Sequence, residues 1–183
     1  HIFITHAHLD HIRGIPFLAD NIIIKNKKHS FNLISIPPVL KTISKNLLNN
    51  SIWPDFSMLP DHKNPIIKYI EMKEGTAVKF NSYEVTAYYV NHSVPSVGYL
   101  IGHDKRLLFY TGDMGPTQQT WGKIGDRQIN ALIIEVSFPS KMKDLAVLTG
   151  HLTPALLNVE LTKLRHYPEK IYITHPKPQY LRA

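Results

Sequence analysis

Four side chains that can ligate a metal ion lie within six residues near the start of the chain: His6, His8, Asp10 and His11. They follow an apolar run at residues 2–4 of the kind that ends a buried strand. Three imidazoles and a carboxylate in one loop can converge on a divalent ion, zinc above all. One of these histidines alone would more often be a core or surface residue, but four groups at this spacing predict a metal site.

Three further candidate ligands occur later, each just beyond an apolar segment: His92, Asp113 and His175. Taken singly, each has a structural alternative, as a turn residue, a β-turn former and a solvated strand end respectively. Gly112 precedes the carboxylate and relaxes the backbone around it. Together with the first four groups they make seven at strand ends, enough for two ions that share one bridging carboxylate.

The elements that must position these groups alternate between strands and helices. Period-two patterns and β-branched residues predict strands at 22–25, 66–71, 78–80, 83–90, 97–101, 106–110, 131–136 and 170–174. Helices are predicted at 12–19, 37–48, 118–124 and after Thr153, which can cap a helix that has Pro154 in its first turn. The pattern favours one domain over residues 1–183, an α/β sandwich with two sheets between helical layers.

Composition narrows the chemistry and the surroundings. The 183 residues contain no cysteine, so thiolate ligands and disulfides are excluded and His, Asp and Glu must hold any metal. No apolar run is long enough to span a membrane, so we expect a soluble protein without a membrane partner. The absence of cysteine fits the cytoplasm, which we favour, and fits the periplasm equally well. The chain begins at His1 on a predicted strand, and we therefore expect sheet-forming residues ahead of it.

The formal charge of +7 favours anionic partners such as phosphates, nucleotides or nucleic acid. A lysine-rich surface in a chain that is also rich in Asn and Ile explains the same charge equally well. The densest basic run, at residues 25–29, is predicted to be a solvated turn.

The set of ligands resembles that of the metallo-β-lactamase fold, a four-layer αββα sandwich with a binuclear site at one edge of its sheets. The resemblance implies a role for all seven candidates. One ion would be held by His6, His8 and His92 and the other by Asp10, His11 and His175, with Asp113 as the bridge. The implied cofactors are two divalent ions, with zinc favoured and manganese, iron or magnesium as alternatives. The N-terminal strands of that family, expected ahead of His1, are absent from this sequence.

A narrower resemblance covers almost the whole chain. Phrases at residues 6–12, 52–56 (Ile-Trp-Pro-Asp-Phe), 91–96, 150–154 (Gly-His-Leu-Thr-Pro) and 174–178 (Thr-His-Pro-Lys-Pro) occur in order. They resemble the class II 3′,5′-cyclic-nucleotide phosphodiesterases. The first phrase alone indicates only the superfamily, whereas the phrases around Trp53, His151 and His175 are much more discriminating.

His151 lies two residues before the expected helix cap, near backbone N–H groups that attract a phosphate. In the related tRNA 3′-processing endonucleases a similarly placed histidine acts as general acid, supported by an acidic residue after an apolar strand. Glu135 matches that acidic position here. A carboxylate bonded to imidazole orients the ring for proton donation, and we favour this catalytic role over the alternative of a purely structural pair.

The function implied by the resemblance is hydrolysis of a 3′,5′-cyclic nucleotide, cyclic AMP or cyclic GMP, to the 5′-monophosphate. Two metal ions would lower the pKa of a bridging water that attacks phosphorus. His151 would protonate the departing 3′ oxygen, with Glu135 as its partner. Asp10, besides binding metal, is also predicted to be a catalytic residue. The expected partner is therefore a small cyclic nucleotide, and a homodimer is compatible with the sequence.

Three further residues are weaker candidates for binding the substrate: Trp53 and Phe56 for stacking on a base, and Lys177 for binding phosphate.

The sequence is compatible with two other functions. A tRNA 3′-processing endonuclease, or another RNA-cleaving enzyme, would share the ligands and the His/Glu pair, and the positive charge supports it. Against nucleic acid as the partner, the sequence has no long Gly- or Lys-rich insertion that could bind tRNA. The third hypothesis is a metal-free binding protein with the same fold, and the complete set of ligands argues against it.

Overall fold

The computed structural model describes residues 1–25 and 29–180. The chain divides into two compact units, His1–Lys73 and Glu74–Ala183, and each is described by itself. The basic run predicted as a turn at 25–29 includes residues 26–28, which lie outside the described residues. No helix in the described ranges is both long and apolar enough to cross a membrane.

The first unit is a parallel three-stranded sheet with helices between its strands. Its elements are β1 (Ile2–Phe3), α1 (Leu9–Ile12), α2 (Gly14–Lys25), β2 (Phe31–Ser35), α3 (Pro37–Asn46) and β3 (Ile67–Glu71). The strand order is β1-β2-β3. The central strand is the most buried, and Leu33 and Ile34 are fully inaccessible to solvent. As predicted, α3 begins at a Pro-Pro pair and buries one apolar face.

One prediction in this unit is wrong. Residues 22–25 were expected to form a strand, but they are the last turn of α2. A short run of isoleucines does not distinguish a strand from a helix by periodicity, and here the preceding helix continues through it. The strand of this region is instead β2, which the sequence pattern did not predict.

The second unit is a mixed six-stranded sheet covered by helices. Its elements are β4 (Ala77–Phe80), β5 (Tyr83–Tyr89), β6 (Val97–His103), β7 (Arg106–Tyr110), α4 (Gln119–Ile124), β8 (Ala131–Glu135), α5 (Lys143–Thr149), α6 (Pro154–Leu161) and β9 (Lys170–Thr174). The strand order is β4-β5-β6-β7-β8-β9. Pairs from β4 to β7 are antiparallel, whereas β7, β8 and β9 run parallel.

The core of this unit lies between the sheet and its helices. Phe109 and Leu132 of neighbouring strands pack with Trp121 of α4 and Leu157 of α6. The predicted cap is confirmed, because the Thr153 hydroxyl accepts a hydrogen bond from the backbone N–H of Leu156 at 3.2 Å. Helix α5, with a 3-10 turn just before it, was not predicted, since its residues show no clear apolar stripe.

Candidate active site

The His-rich motif of the first unit forms a loop and a short helix after β1. The strand ends at Phe3, and α1 starts at Leu9, directly after His8. The ring centroid of His6 lies 4.8 Å from that of His8 and 4.2 Å from that of His11. Three of the four predicted ligands in this unit therefore gather their rings at one place.

Two contacts orient this cluster. The hydroxyl of Thr5 lies 3.0 Å from Nδ1 of His6, which is fully buried, so that Nε2 is the nitrogen available to an ion. The Asp10 side chain is 55% exposed, and its Oδ2 lies 3.6 Å from Nε2 of His11. The carboxylate thus stands at the solvent side of the three rings.

In the second unit, candidate groups follow the carboxyl ends of strands that run in one direction. β5 and β7 have the same direction because both pair antiparallel with β6, and β8 and β9 continue it. His92 follows β5, Asp113 follows β7, Glu135 ends β8 and His175 follows β9. Parallel strands present their carboxyl ends at one edge of a sheet, and this explains why residues distant in sequence meet.

The distances confirm that this edge is one cluster. Nε2 of His175 lies 3.2 Å from Oδ2 of the buried Asp113. Each of His92, Asp113 and His151 offers one ligand atom within 4.8 Å of the others. His175 itself has φ +60°, a left-handed backbone that is unusual for a non-glycine residue and typical of functional sites.

The His92 ring is fixed from behind by a backbone carbonyl. Its Nδ1 lies 2.8 Å from the carbonyl oxygen of Gly150, so Nδ1 carries the proton and Nε2 is left as the lone-pair nitrogen. Gly150 has φ +71°, and a Cβ there would lie 2.9 Å from the Cα of His92. Only glycine allows this approach.

The predicted pairing of Glu135 with His151 is present. Nδ1 of His151 donates to Oε1 of Glu135 at 2.7 Å, and both side chains are buried. The same carboxylate oxygen accepts from the backbone N–H of Met114 at 3.3 Å. Because Nδ1 is engaged, Nε2 is the nitrogen that can exchange a proton with a bound molecule.

Ser137 belongs to this cluster, although the sequence reasoning missed it. Its hydroxyl donates to Oε2 of Glu135 at 2.9 Å and lies 3.2 Å from both Nδ1 of His151 and the carbonyl oxygen of His175. Its backbone joins the same segments, since its N–H donates to Leu152 and its carbonyl accepts from Lys177. A lone serine carries no motif; the only available signal was its position two residues after Glu135.

The weaker candidates differ in outcome. Phe56 is only 2% exposed and packs in the core of the first unit, so it is not available to stack on a base. Trp53 is partly buried, with its ring 5.2 Å from Phe17. Nζ of Lys177 lies 3.4 Å from Nε2 of His175, at the edge of the second cluster.

Burial, together with the nearby carboxylate of Asp113, raises the pKa of Tyr110.

The donor chemistry of both clusters fits divalent metal ions. All donors are imidazole nitrogen or carboxylate oxygen, the ligands that zinc and similar ions take in the absence of thiolates. His6 and His92 each have Nδ1 in a second contact, the pattern that orients metal-binding histidines.

Comparisons with known proteins agree with this chemistry. A family described as "Beta-lactamase superfamily domain" matches residues 1–175. A ribonuclease Z of Pyrococcus horikoshii is 30% identical over 174 residues, which cover 88% of this chain and 53% of that protein. A probable 3′,5′-cyclic-nucleotide phosphodiesterase of Yersinia pestis is 27% identical, covering 97% of this chain and 57% of that protein. The chain thus spans about half the length of these curated relatives.

Among solved structures, unliganded yeast PDE1 is similar over 99% of this chain and 58% of its own, with a TM-score of 0.86 and 21% identity. At that level of identity the similarity concerns the fold. Similar proteins thus include both cyclic-nucleotide phosphodiesterases and ribonuclease Z proteins.

Proposed function

Because the chain belongs to the beta-lactamase superfamily domain family and has the metallo-β-lactamase fold, we propose that it is a metal-dependent phosphodiesterase that hydrolyses 3′,5′-cyclic nucleotides. The product would be the nucleoside 5′-monophosphate. The similarity to the phosphodiesterase of Yersinia pestis over 97% of this chain supports that substrate class. The observation that carries the proposal is the buried Glu135–His151 pair beside Asp113, a proton donor placed next to candidate metal ligands.

The proposal includes the assignment of ligands and the single-domain organisation over residues 1–183. All seven candidates would hold two divalent ions: His6, His8 and His92 the first, Asp10, His11 and His175 the second, with Asp113 shared. Bound there, such ions lower the pKa of water and neutralise phosphoryl oxygens. The donor types and the orientation of His6 and His92 support this assignment.

The role of the chain's own residues follows from the reaction. Water attacks phosphorus, the bond from phosphorus to the 3′ oxygen breaks, and the departing oxygen needs a proton. Nε2 of His151 would supply it, while Nδ1 stays bonded to Glu135, which orients the ring and stabilises it when protonated. His151 lies just ahead of the N-terminus of α6, where backbone N–H groups favour an anionic substrate.

A second function is favoured by one observation, the 30% identity to a ribonuclease Z. Cleavage of an RNA phosphodiester would use the same ligands and the same proton donor. The charge of +7 would favour binding to a phosphate backbone.

A product assay on the full-length protein separates the two functions. Cyclic AMP, cyclic GMP and a tRNA precursor are offered separately, with and without a chelator. We expect 5′-AMP or 5′-GMP to form and chelator to abolish the reaction. Cleavage of the tRNA precursor without cyclic-nucleotide turnover would replace the first function by the second, and chelator-insensitive hydrolysis would contradict both.

A further inference from the structure

A cavity of about 470 Å³ opens beside His92 in the second unit. Its wall is formed by Tyr89, Asn91 and the segment 116–119, and it is mostly polar in residue type. Small-molecule sites begin at about 300 Å³, so this space is large enough for part of a nucleotide. The mechanism derived above does not use it.

The wall of the cavity is braced by a buried carboxylate. Glu160 is fully inaccessible to solvent, and its Oε2 accepts from the Thr117 backbone N–H at 3.1 Å and from Nε1 of Trp121 at 2.7 Å. Lys163 bonds to Glu160 and also donates to the carbonyl of Thr117 at 2.9 Å. Burying a charge is costly unless it is paired, and here the pairing holds one surface segment in place.

Two more bonds tie this segment to the strand that leads to His92. Nδ2 of Asn91 donates to the carbonyl of Pro116 at 2.8 Å, and the Thr120 hydroxyl donates to the carbonyl of Tyr89 at 2.9 Å. The cavity wall is therefore rigid and positioned before any ligand arrives, as binding sites generally require.

Two glutamines on this wall have side chains that are exposed to solvent. Across the described residues, the amides of Gln118 and Gln119 make no hydrogen bond with the protein. An amide offers a donor and an acceptor side by side, which matches the donor and acceptor edge of a purine base. Tyr89 is 39% exposed, and its aromatic ring is of the kind on which a base can stack.

We propose that this cavity binds the purine base of the substrate, with Gln118 and Gln119 reading the base edge and Tyr89 stacking on it. The inference rests on the proposed function, because the phosphate would lie on the candidate ligands that include His92. The proposal assigns recognition of the base to named residues of this cavity, and Glu160 acts as a positioning residue through Thr117.

Calorimetric titration of the metal-loaded, full-length protein with two probes isolates the base. Adenosine 5′-monophosphate and ribose 5-phosphate share the ribose and the phosphate, and ribose 5-phosphate has a hydroxyl at C1 in place of the adenine. We expect AMP to bind at least tenfold more tightly. In Gln118→Ala/Gln119→Ala that advantage should fall by about tenfold, the effect of losing about 1.4 kcal/mol. Gln128→Ala, which removes an exposed glutamine of the same unit, should keep it.

The outcomes are distinct from those of the proposed function. Equal binding of the two probes to the wild-type protein, or a double variant that keeps the full advantage with an unchanged melting temperature, would overturn the base subsite. If the advantage is lost in the variant but the wild-type protein does not hydrolyse cyclic AMP, the subsite stands and the proposed reaction falls.

Discussion

The carbonyl oxygen of Gly150 lies 2.8 Å from Nδ1 of His92, and Gly150 directly precedes His151. One peptide group thus fixes the ring of a candidate metal ligand and begins the segment that carries the candidate proton donor. The approach requires glycine, because the backbone is left-handed there and a Cβ would lie 2.9 Å from the Cα of His92.

Gly150→Ala should therefore destabilise the protein by about 2 kcal/mol, since an alanine in the left-handed region costs roughly 1–2 kcal/mol before any clash is counted. Urea unfolding measures the change. Gly122→Ala is the matched control, because Gly122 lies in α4 with open space around it and alanine favours helix by about 0.5–1 kcal/mol. Equal stability of the two variants would show that the close approach at Gly150 is not tight.

His151→Ala should lower kcat for the cyclic nucleotide by about 10²- to 10⁴-fold, the usual contribution of general acid catalysis, and leave the metal content unchanged. Glu135→Gln should lower it less, because the amide oxygen can still accept from Nδ1. Steady-state kinetics and elemental analysis measure the two effects. His166→Ala, at an exposed histidine of the same unit, should have wild-type kinetics. An unchanged kcat in His151→Ala would exclude the acid role.

Ser137→Ala removes a buried hydroxyl that contacts Glu135, His151 and the backbone of His175. We expect kcat to fall by about tenfold with little change in KM, because the serine orients groups and does not bind substrate. Ser137→Thr should recover part of the loss. Ser96→Ala, which removes an equally buried hydroxyl bonded to the carbonyl of Val94, serves as the control for stability. A purely structural serine would change the melting temperature and leave kcat as it is.

Tyr69 predicts a pH dependence in the first unit. Burial, and then the nearby carboxylate of Asp55, raise the pKa of its hydroxyl to about 12. The folded pKa lies above the unfolded value of about 10, so its contribution to stability is complete below pH 10 and is lost as the pH rises through 12. Tyr69→Phe should therefore gain stability relative to the wild-type protein above pH 10, as measured by urea unfolding at several pH values.

The same variant should be at least as stable at pH 8, because the Tyr69 hydroxyl is buried and has no hydrogen-bond partner among the described residues. Tyr167→Phe, at a side chain that is 66% exposed, is the control. Parallel stability curves for the two variants from pH 8 to 12 would contradict the assignment to Tyr69.

Removal of bound metal should lower the melting temperature. An ion that binds only the folded state contributes about 2.7 kcal/mol when present at about 100 times its dissociation constant. Differential scanning calorimetry before and after chelation measures this, and His6→Ala should reduce the difference. His62→Ala, at an exposed histidine, should retain it. If the chelator leaves the melting temperatures of the wild-type protein and of His62→Ala unchanged, a metal-free binding function would be favoured.

Much of the second unit was predictable because its signals are local. The β-branched and aromatic runs of β5 to β9 mark strands, and Thr153 followed by Pro154 marks the start of α6. The pairing of Glu135 with His151 was also anticipated, while its catalytic role and the seven-ligand assignment stay predictions. The contacts of Ser137 and Gly150 could not be predicted, because they depend on three-dimensional neighbours that no spacing encodes. The prediction of a strand at 22–25 was wrong, because a short run of isoleucines does not distinguish a strand from a helix.

Among the strands of residues 1–25 and 29–180, β9 pairs with β8 alone, whereas β8 is flanked on both sides. An edge strand opens at a lower free energy than a central one, so gentle warming should release the end of β9 first. His175 would then leave the cluster while Glu135, at the end of β8, stays in place. The order in which the site comes apart is thus set by strand position: hydrogen exchange should reach the amides of β9 well before those of β8.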